Sequence, residues 1–197
     1  MSKTSYFLTT ALTLATLLVG IPLALKQIDM EEPLPVLGVA PKISLIENTN
    51  ASFNSDSLKG HVWVANFFFS SCQGPCPIVS GHMRKLAEDF SKKNSDTHFV
   101  SISVDPKRDS VKKLAEYETQ FGVELPRWHL LTGAEEPELA RLLKEGFKLG
   151  QGESFQNHST RFILIDKKSN IRGYFDGMLP EDIKRLSQEI TRLEKEE

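Results

Sequence analysis

The chain predicts an α/β domain, a mixed sheet flanked by helices, with a β-hairpin added in front and a single apolar helix at the N-terminus. Three observations carry this. Short β-rich runs alternate with segments of helical spacing from about Lys42 to the C-terminus. Val62–Phe69 is a continuous apolar run of the kind found in strands buried on both faces. Directly after it stand the only two cysteines, in Cys72-Gln73-Gly74-Pro75-Cys76-Pro77, where a spacing of four puts two sulfurs on one side of a helical turn.

The N-terminal segment comes first in order. Tyr6 to Leu25 is uncharged and flanked by Lys3 and Lys26. As a helix it reaches roughly 30 Å, the thickness of a bilayer core. A cleaved signal peptide has a shorter apolar core, about 7–15 residues, and a small-x-small cleavage site, and no Ala-x-Ala follows here. The expectation is a cytoplasmic tail at 1–5, an uncleaved transmembrane anchor at 6–25, a Pro-bearing stalk at 26–41 and an exported domain at 42–197. No Arg-rich, Ser-rich transit peptide precedes it, which favours a bacterial inner membrane with the domain in the periplasm.

Along the domain, Ile43–Ile46 and Ala51–Phe53 read as a hairpin around Glu47–Asn50. The strand Val62–Phe69 follows. Val79, Met83, Leu86, Ala87 and Phe90 then fall at helical spacing within 76–92. Phe99–Val104 alternates and is β-branched, hence a strand. Asp109 is placed to cap a helix bearing Val111, Leu114, Ala115 and Phe121, which Gly122 ends. Trp128–Leu131 reads as a short strand and Pro137–Lys144 as a helix. A Gly-punctuated, mobile loop is expected from Gly146 to His158. Arg161–Asp166 and Ile171–Phe175 form a second hairpin, and Pro180 opens a last helix with Ile183, Leu186, Ile190 and Leu193 in register. That order of elements is the order of the thioredoxin-like fold, with the first hairpin in front.

A net charge of −2, with basic residues scattered among acidic ones, offers no face for nucleic acid. The chemistry gathers elsewhere. Ligands in open α/β sheets bind outside the carboxyl ends of the parallel strands. Cys72 and Cys76 lie past strand 62–69, and Asp105 past strand 99–104. If strand 161–166 is antiparallel to these, its start falls at the same edge, with His158 just before it. Two thiols and an imidazole suit copper, the thiolates satisfying Cu(I) and the imidazole letting the site hold Cu(II). Structural zinc would want a fourth protein ligand. The pair alone also suits a redox or plain structural disulfide. Asp105 is read as a neighbour of the site that orients a ligand from behind, or as the start of a turn.

Of the other histidines, His82 lies about 240° round the helix from Cys76 and faces away from the sulfurs. His61, His98 and His129 read as surface or core residues, and Met83 as core; Met178 is a weaker candidate as a soft ligand.

Phe67-Phe68-Phe69-Ser70-Ser71-Cys72-Gln73-Gly74-Pro75-Cys76-Pro77, Ser103-Val104-Asp105-Pro106-Lys107-Arg108-Asp109 and His158-Ser159-Thr160-Arg161-Phe162-Ile163-Leu164-Ile165-Asp166 together resemble the Sco/SenC family. The resemblance implies a membrane-tethered, thioredoxin-like copper chaperone that helps assemble the CuA centre of cytochrome c oxidase. It makes Cys72, Cys76 and His158 the copper ligands and Asp105 an acidic neighbour. The partner it implies is the copper-bearing subunit of the oxidase or another copper acceptor. Two departures stand out. Gln73-Gly74-Pro75 replaces the family's commoner Pro-Asp-Val, and Gln156-Asn157 stands where an acidic residue often precedes the histidine. The alternative is a membrane-tethered thiol–disulfide oxidoreductase in which Cys72 attacks and Cys76 resolves. A peroxidase has no clear support in the site.

Overall fold

The computed structural model describes residues 34–120, 125–149 and 160–196. The anchor expected at 6–25, the end of the helix expected at Phe121–Gly122 and His158 lie outside the described residues. Among the described residues, no helix is long and apolar enough to cross a membrane.

The strands are β1 (Gly38–Val39), β2 (Ser44–Glu47), β3 (Ser52–Asn54), β4 (Trp63–Phe68), β5 (His98–Ser103), β6 (Trp128–Thr132), β7 (Arg161–Ile165) and β8 (Asn170–Asp176). The helices are α1 (Cys76–Lys92), α2 (Val111–Gln120), α3 (Glu136–Arg141) and α4 (Pro180–Leu193). Among the described residues, eight strands join one sheet in the order β1-β8-β7-β4-β5-β6-β2-β3. β4, β5 and β6 are parallel neighbours, while β7 runs antiparallel to β4.

β4 is buried at every position, as a two-sided central strand must be. Trp63, Ala65 and Phe67 point into one core with Val100, Ile102, Leu131, Ile163 and Ile165. By alternation Val64, Asn66 and Phe68 occupy the other face, where Phe68 stacks on Tyr117 of α2. α1 turns its predicted stripe of Val79, Met83, Leu86, Ala87 and Phe90 inward, and all five are buried.

The structure departs from the sequence reading at several points. β2 pairs with β3 as expected, but it also pairs with β6, so the hairpin extends the main sheet. β1 lies inside the stretch read as a stalk. Leu37 and Ala40 donate backbone hydrogen bonds to Ile171 and Ser169, so this segment is an edge strand on β8. Two residues give no periodicity to read; their order comes from the backbone bonds.

α3 starts one residue before Pro137 and runs into a π-turn at Leu142–Gly146. Just after it, in the segment read as a mobile loop, Phe147 is fully buried. Its ring meets Trp63 and Phe67 edge-on, with centroids 6.2 and 5.3 Å apart. The cap of α2 also differs. Ser110 accepts from Lys113 N through its hydroxyl, and Asp109 turns inward.

Candidate functional site

β4 ends at Phe68, and the chain then loops through Phe69–Pro75 to α1. Cys72 N donates to Phe69 O at 3.2 Å, a tight turn that folds the first cysteine back towards the strand end. Gly74 N donates to the Cys72 sulfur at 3.4 Å. Pro75 sits at the cap position, where its carbonyl accepts from Ile78 and Val79 at 3.0 Å each. Cys76 is thus the first residue of α1, and Pro77 follows where a missing N–H costs the helix nothing.

Both cysteines are buried and unlinked, with a hydrogen bond between their side chains. Burial pushes the Cys76 thiol up to about 12, and the bond to Cys72 adds to the rise. A backbone hydrogen bond with Phe69 works the other way. Two sulfurs held side by side are poised for either of two reactions. They can lose protons to a soft cation, or lose two electrons and close into a disulfide.

The loop before the pair is pinned by a residue read from sequence only as a cap. Asp109 is fully buried. Its carboxylate accepts from Ser70 N at 3.1 Å, from the Ser70 hydroxyl, and from the Ser103 hydroxyl at 2.6 Å. Its own carbonyl accepts from Thr132 Oγ1 at 2.6 Å. One residue therefore ties the Cys72 loop to the ends of β5 and β6.

Asp105 lies at the same sheet edge, just past β5. Its carboxylate pairs with Arg108, and its carbonyl accepts from Arg108 N and Asp109 N at 3.0 and 2.9 Å. Tyr117, absent from the sequence reading, donates its hydroxyl to Ser80 at 2.9 Å. Burial pushes its phenol up to about 12. The Ser80 bond opposes the shift, and Cys76, Cys72 and Asp109 all add to it. The signal for Tyr117 was its place three residues after Leu114, on the buried stripe of α2.

The other wall of the site is the start of β7. Because β7 is antiparallel to β4, with Ala65 opposite Ile163, its first residue lies at the carboxyl end of β4, as expected. Thr160 precedes it. Thr160 O accepts from Gly177 N at 2.8 Å, and Gly177 O is 2.8 Å from His82 Nδ1 on α1. A Cβ on Gly177 would meet Thr160 O at 2.6 Å and Val79 at 3.1 Å, so only glycine lets these three segments touch. His82 bolts α1 to the turn after β8. Met83 is core, and Met178 is partly exposed in that same turn.

At the opposite end of the parallel strands the structure gathers three histidines that the sequence reading left separate. His98 Nδ1 is 2.9 Å from His129 Nε2, and His129 Nδ1 is 2.5 Å from Glu47. The ring of His61 stands 5.1 Å from that of His98. Burial first, then the charge of His129, pulls His98 down to about 4. Among the described residues, no group of three or more His, Cys, Asp or Glu is arranged to hold a metal ion.

Comparison with known proteins places this geometry. Residues 37–194 match the family model described as SCO1/SenC. Among curated relatives, the SCO1 protein homolog of Bacillus subtilis is 30% identical over 127 residues, covering 62% of this chain and 66% of that protein. A putative copper-binding protein of Stutzerimonas stutzeri is 26% identical over 159 residues, 76% of this chain and 74% of its own length. The chain thus spans just under two thirds of the Bacillus subtilis relative.

Among solved structures, a SCO1/SenC family lipoprotein of Bacillus anthracis superposes with a TM-score of 0.74 at 30% identity, over 83% of this chain and 98% of that one. BsSco, described as a Sco-family cytochrome c oxidase assembly protein with a disulfide switch, gives 0.75 at 22% identity, over 85% and 100%. Bradyrhizobium japonicum ScoI with copper bound gives 0.59 at 18%, over 79% and 99%. The last two speak for the fold, a thioredoxin-like mixed sheet with flanking helices. On the match across residues 37–194, the chain belongs to the SCO1/SenC family.

Proposed function

We propose that this protein is a copper-binding assembly factor that delivers copper to the CuA centre of cytochrome c oxidase or to another acceptor with similar ligands. The observation that carries the reading is the pair of buried, unlinked cysteines in hydrogen-bond contact at the carboxyl end of β4. Their donor chemistry fits copper, which thiolates select. Cys72 and Cys76 would be two ligands and His158 the third, since only Ser159 separates it from Thr160, the residue before β7. Asp105 would serve behind these ligands. Copper is the cargo here, held as Cu(I) or Cu(II) and passed on by stepwise exchange of thiolate ligands.

The same reading gives the chain a tail at 1–5, an anchor at 6–25 and a stalk from 26, with the edge strand β1 belonging to the copper-binding domain that follows. The anchor would hold the domain at the periplasmic face of a bacterial inner membrane, raising its effective concentration beside a membrane-embedded acceptor. The lipoprotein relative in Bacillus anthracis supports membrane attachment in the family.

Copper titration of the purified protein tests the ligand set. A thiolate charge-transfer band that saturates at one equivalent of Cu(II) is expected, lost in Cys72→Ser and Cys76→Ser. His158→Ala should weaken Cu(II) binding sharply while two reactive thiols remain. Unchanged affinity and stoichiometry in that variant would overturn the three-ligand set.

A second reading has one observation in its favour, the contact between the side chains of the two cysteines. It makes the protein a tethered thiol–disulfide oxidoreductase acting on the cysteines of a partner's copper site. Metal-free turnover of a partner disulfide, faster than the rate of copper transfer, would establish it over the first.

A further inference from the structure

The cluster at the amino end of the parallel strands is built from four elements. His61 stands just before β4, His98 opens β5, His129 is the second residue of β6, and Glu47 closes β2. In the sheet, Trp63 pairs with His98 and Val100 with His129, so these side chains share one face. β4 separates the cluster from the cysteine loop by about 20 Å, so it is not part of that site.

The hydrogen bonds admit an arrangement of protons that leaves one nitrogen of His98 available. Glu47, as a carboxylate, only accepts, so the proton on His129 Nδ1 points at it. With the His129 proton on Nδ1, its Nε2 can accept the His98 Nδ1–H across 2.9 Å. The two rings are nearly coplanar, with 9° between their planes, as an in-plane N–H···N bond requires. What remains on His98 is the Nε2 lone pair. A histidine whose far nitrogen is held by a carboxylate-backed partner is the usual arrangement of a metal-binding imidazole.

His61 supplies the second ring. Its centroid is 5.1 Å from that of His98, with 65° between the planes. Two imidazoles bound to one tetrahedral ion at about 2.0–2.1 Å have centroids roughly 5 Å apart. No third protein donor converges there among the described residues. The ion would therefore complete its shell with water.

We propose that His61 and His98 form a second cation site, for Cu(II) or Zn(II), with His129 and Glu47 holding the His98 ring in place. It lies beyond the reading of the cysteine pair and does not depend on it. Imidazole suits both ions, and two imidazoles with water make a site that loads and empties readily.

The test uses the full chain with Cys72→Ser, Cys76→Ser and His158→Ala, which removes every ligand proposed for the first site. Titration with Cu(II) should show one equivalent bound, with hyperfine coupling to two imidazole nitrogens and no thiolate charge transfer. Adding His61→Ala or His98→Gln should weaken binding at least tenfold. Glu47→Gln should weaken it about tenfold, in line with losses at outer-shell partners. Zn(II) should compete. Absence of stoichiometric binding overturns the proposal, and so does binding indifferent to His61→Ala, a substitution at a half-buried loop position that decides the matter if His98→Gln unfolds. Failure of the first site would instead show in the unsubstituted protein as a missing thiolate band.

Discussion

Two aspartates only four positions apart do different work, and the difference shows how a residue's partners set its value. Asp109 is fully buried and accepts three hydrogen bonds from Ser70 and Ser103. An amide in its place keeps the shape but presents an NH2 to at least one donor, which leaves buried polar groups unpaired. Asp109→Asn should therefore cost about 2–4 kcal/mol in urea denaturation. Because Ser70 is two residues from Cys72, it should also shift the disulfide potential of the cysteine pair. Asp105 pairs with a largely exposed Arg108, so Asp105→Asn should cost under about 1 kcal/mol. Equal losses for the two would sink this ranking. Sequence pointed to Asp105 because an acid beside a strand end reads as a site residue. It could not show that Asp109 turns inward, since an aspartate before a helix reads first as a cap.

Single elements were legible where their signal is local. The stripe of α1 and the unbroken apolar run of β4 are written in side-chain periodicity, and both formed within a residue of where they were expected. The antiparallel direction of β7 followed from topology, and with it the convergence of its start on the cysteine edge. Pairings that live only in the backbone left no such mark, as β1 on β8 and β2 on β6 show. Phe147 was hidden by the glycines around it, although it fills the core beside Trp63 and Phe67. Phe147→Ala should cost about 3–5 kcal/mol, against almost nothing if the segment were a free loop. The contact of α1, β7 and the turn after β8 at Gly177 is likewise invisible in sequence. Gly177→Ala drives a methyl group into the Thr160 carbonyl, a backbone atom that moves only with the start of β7. Its expected effect is a weakened copper site in a protein that still melts cooperatively; copper affinity equal to the unsubstituted protein's would show that this junction does not position the site.

At the scale of the whole molecule, the buried groups around the cysteine site make stability depend on alkaline pH. Cys76 is raised from 9.0 to about 12 and Tyr117 from 10.0 to about 12, burial being the largest cause for both. Tyr174 is shifted upward by burial as well. Between the unfolded and folded values the folded state holds more protons than the unfolded one, so stability must fall as pH rises. The contribution is fully present below pH 9, begins to fade as unfolded Cys76 ionises, and steepens above pH 10 when unfolded tyrosine joins it. One pKa unit is worth about 1.4 kcal/mol, so the two groups together imply a loss of about 3–6 kcal/mol by pH 12. Urea denaturation of the reduced, metal-free protein at constant salt should show a flat contribution from these groups up to pH 9 and a decline from there to pH 11. Tyr117→Phe should soften the slope above pH 10 and leave the onset near pH 9 in place, whereas Cys76→Ser should remove that onset. A stability that stays level from pH 9 to 11 in the unsubstituted protein would mean that the thiol and the phenol are far better solvated than their burial implies. The protonated Cys76 thiol also sets the chemistry of loading, because a cation that takes its sulfur must displace the proton. Copper uptake at pH 8 should accordingly release at least one proton per ion into weak buffer, and uptake without proton release would show that Cys76 is not a ligand.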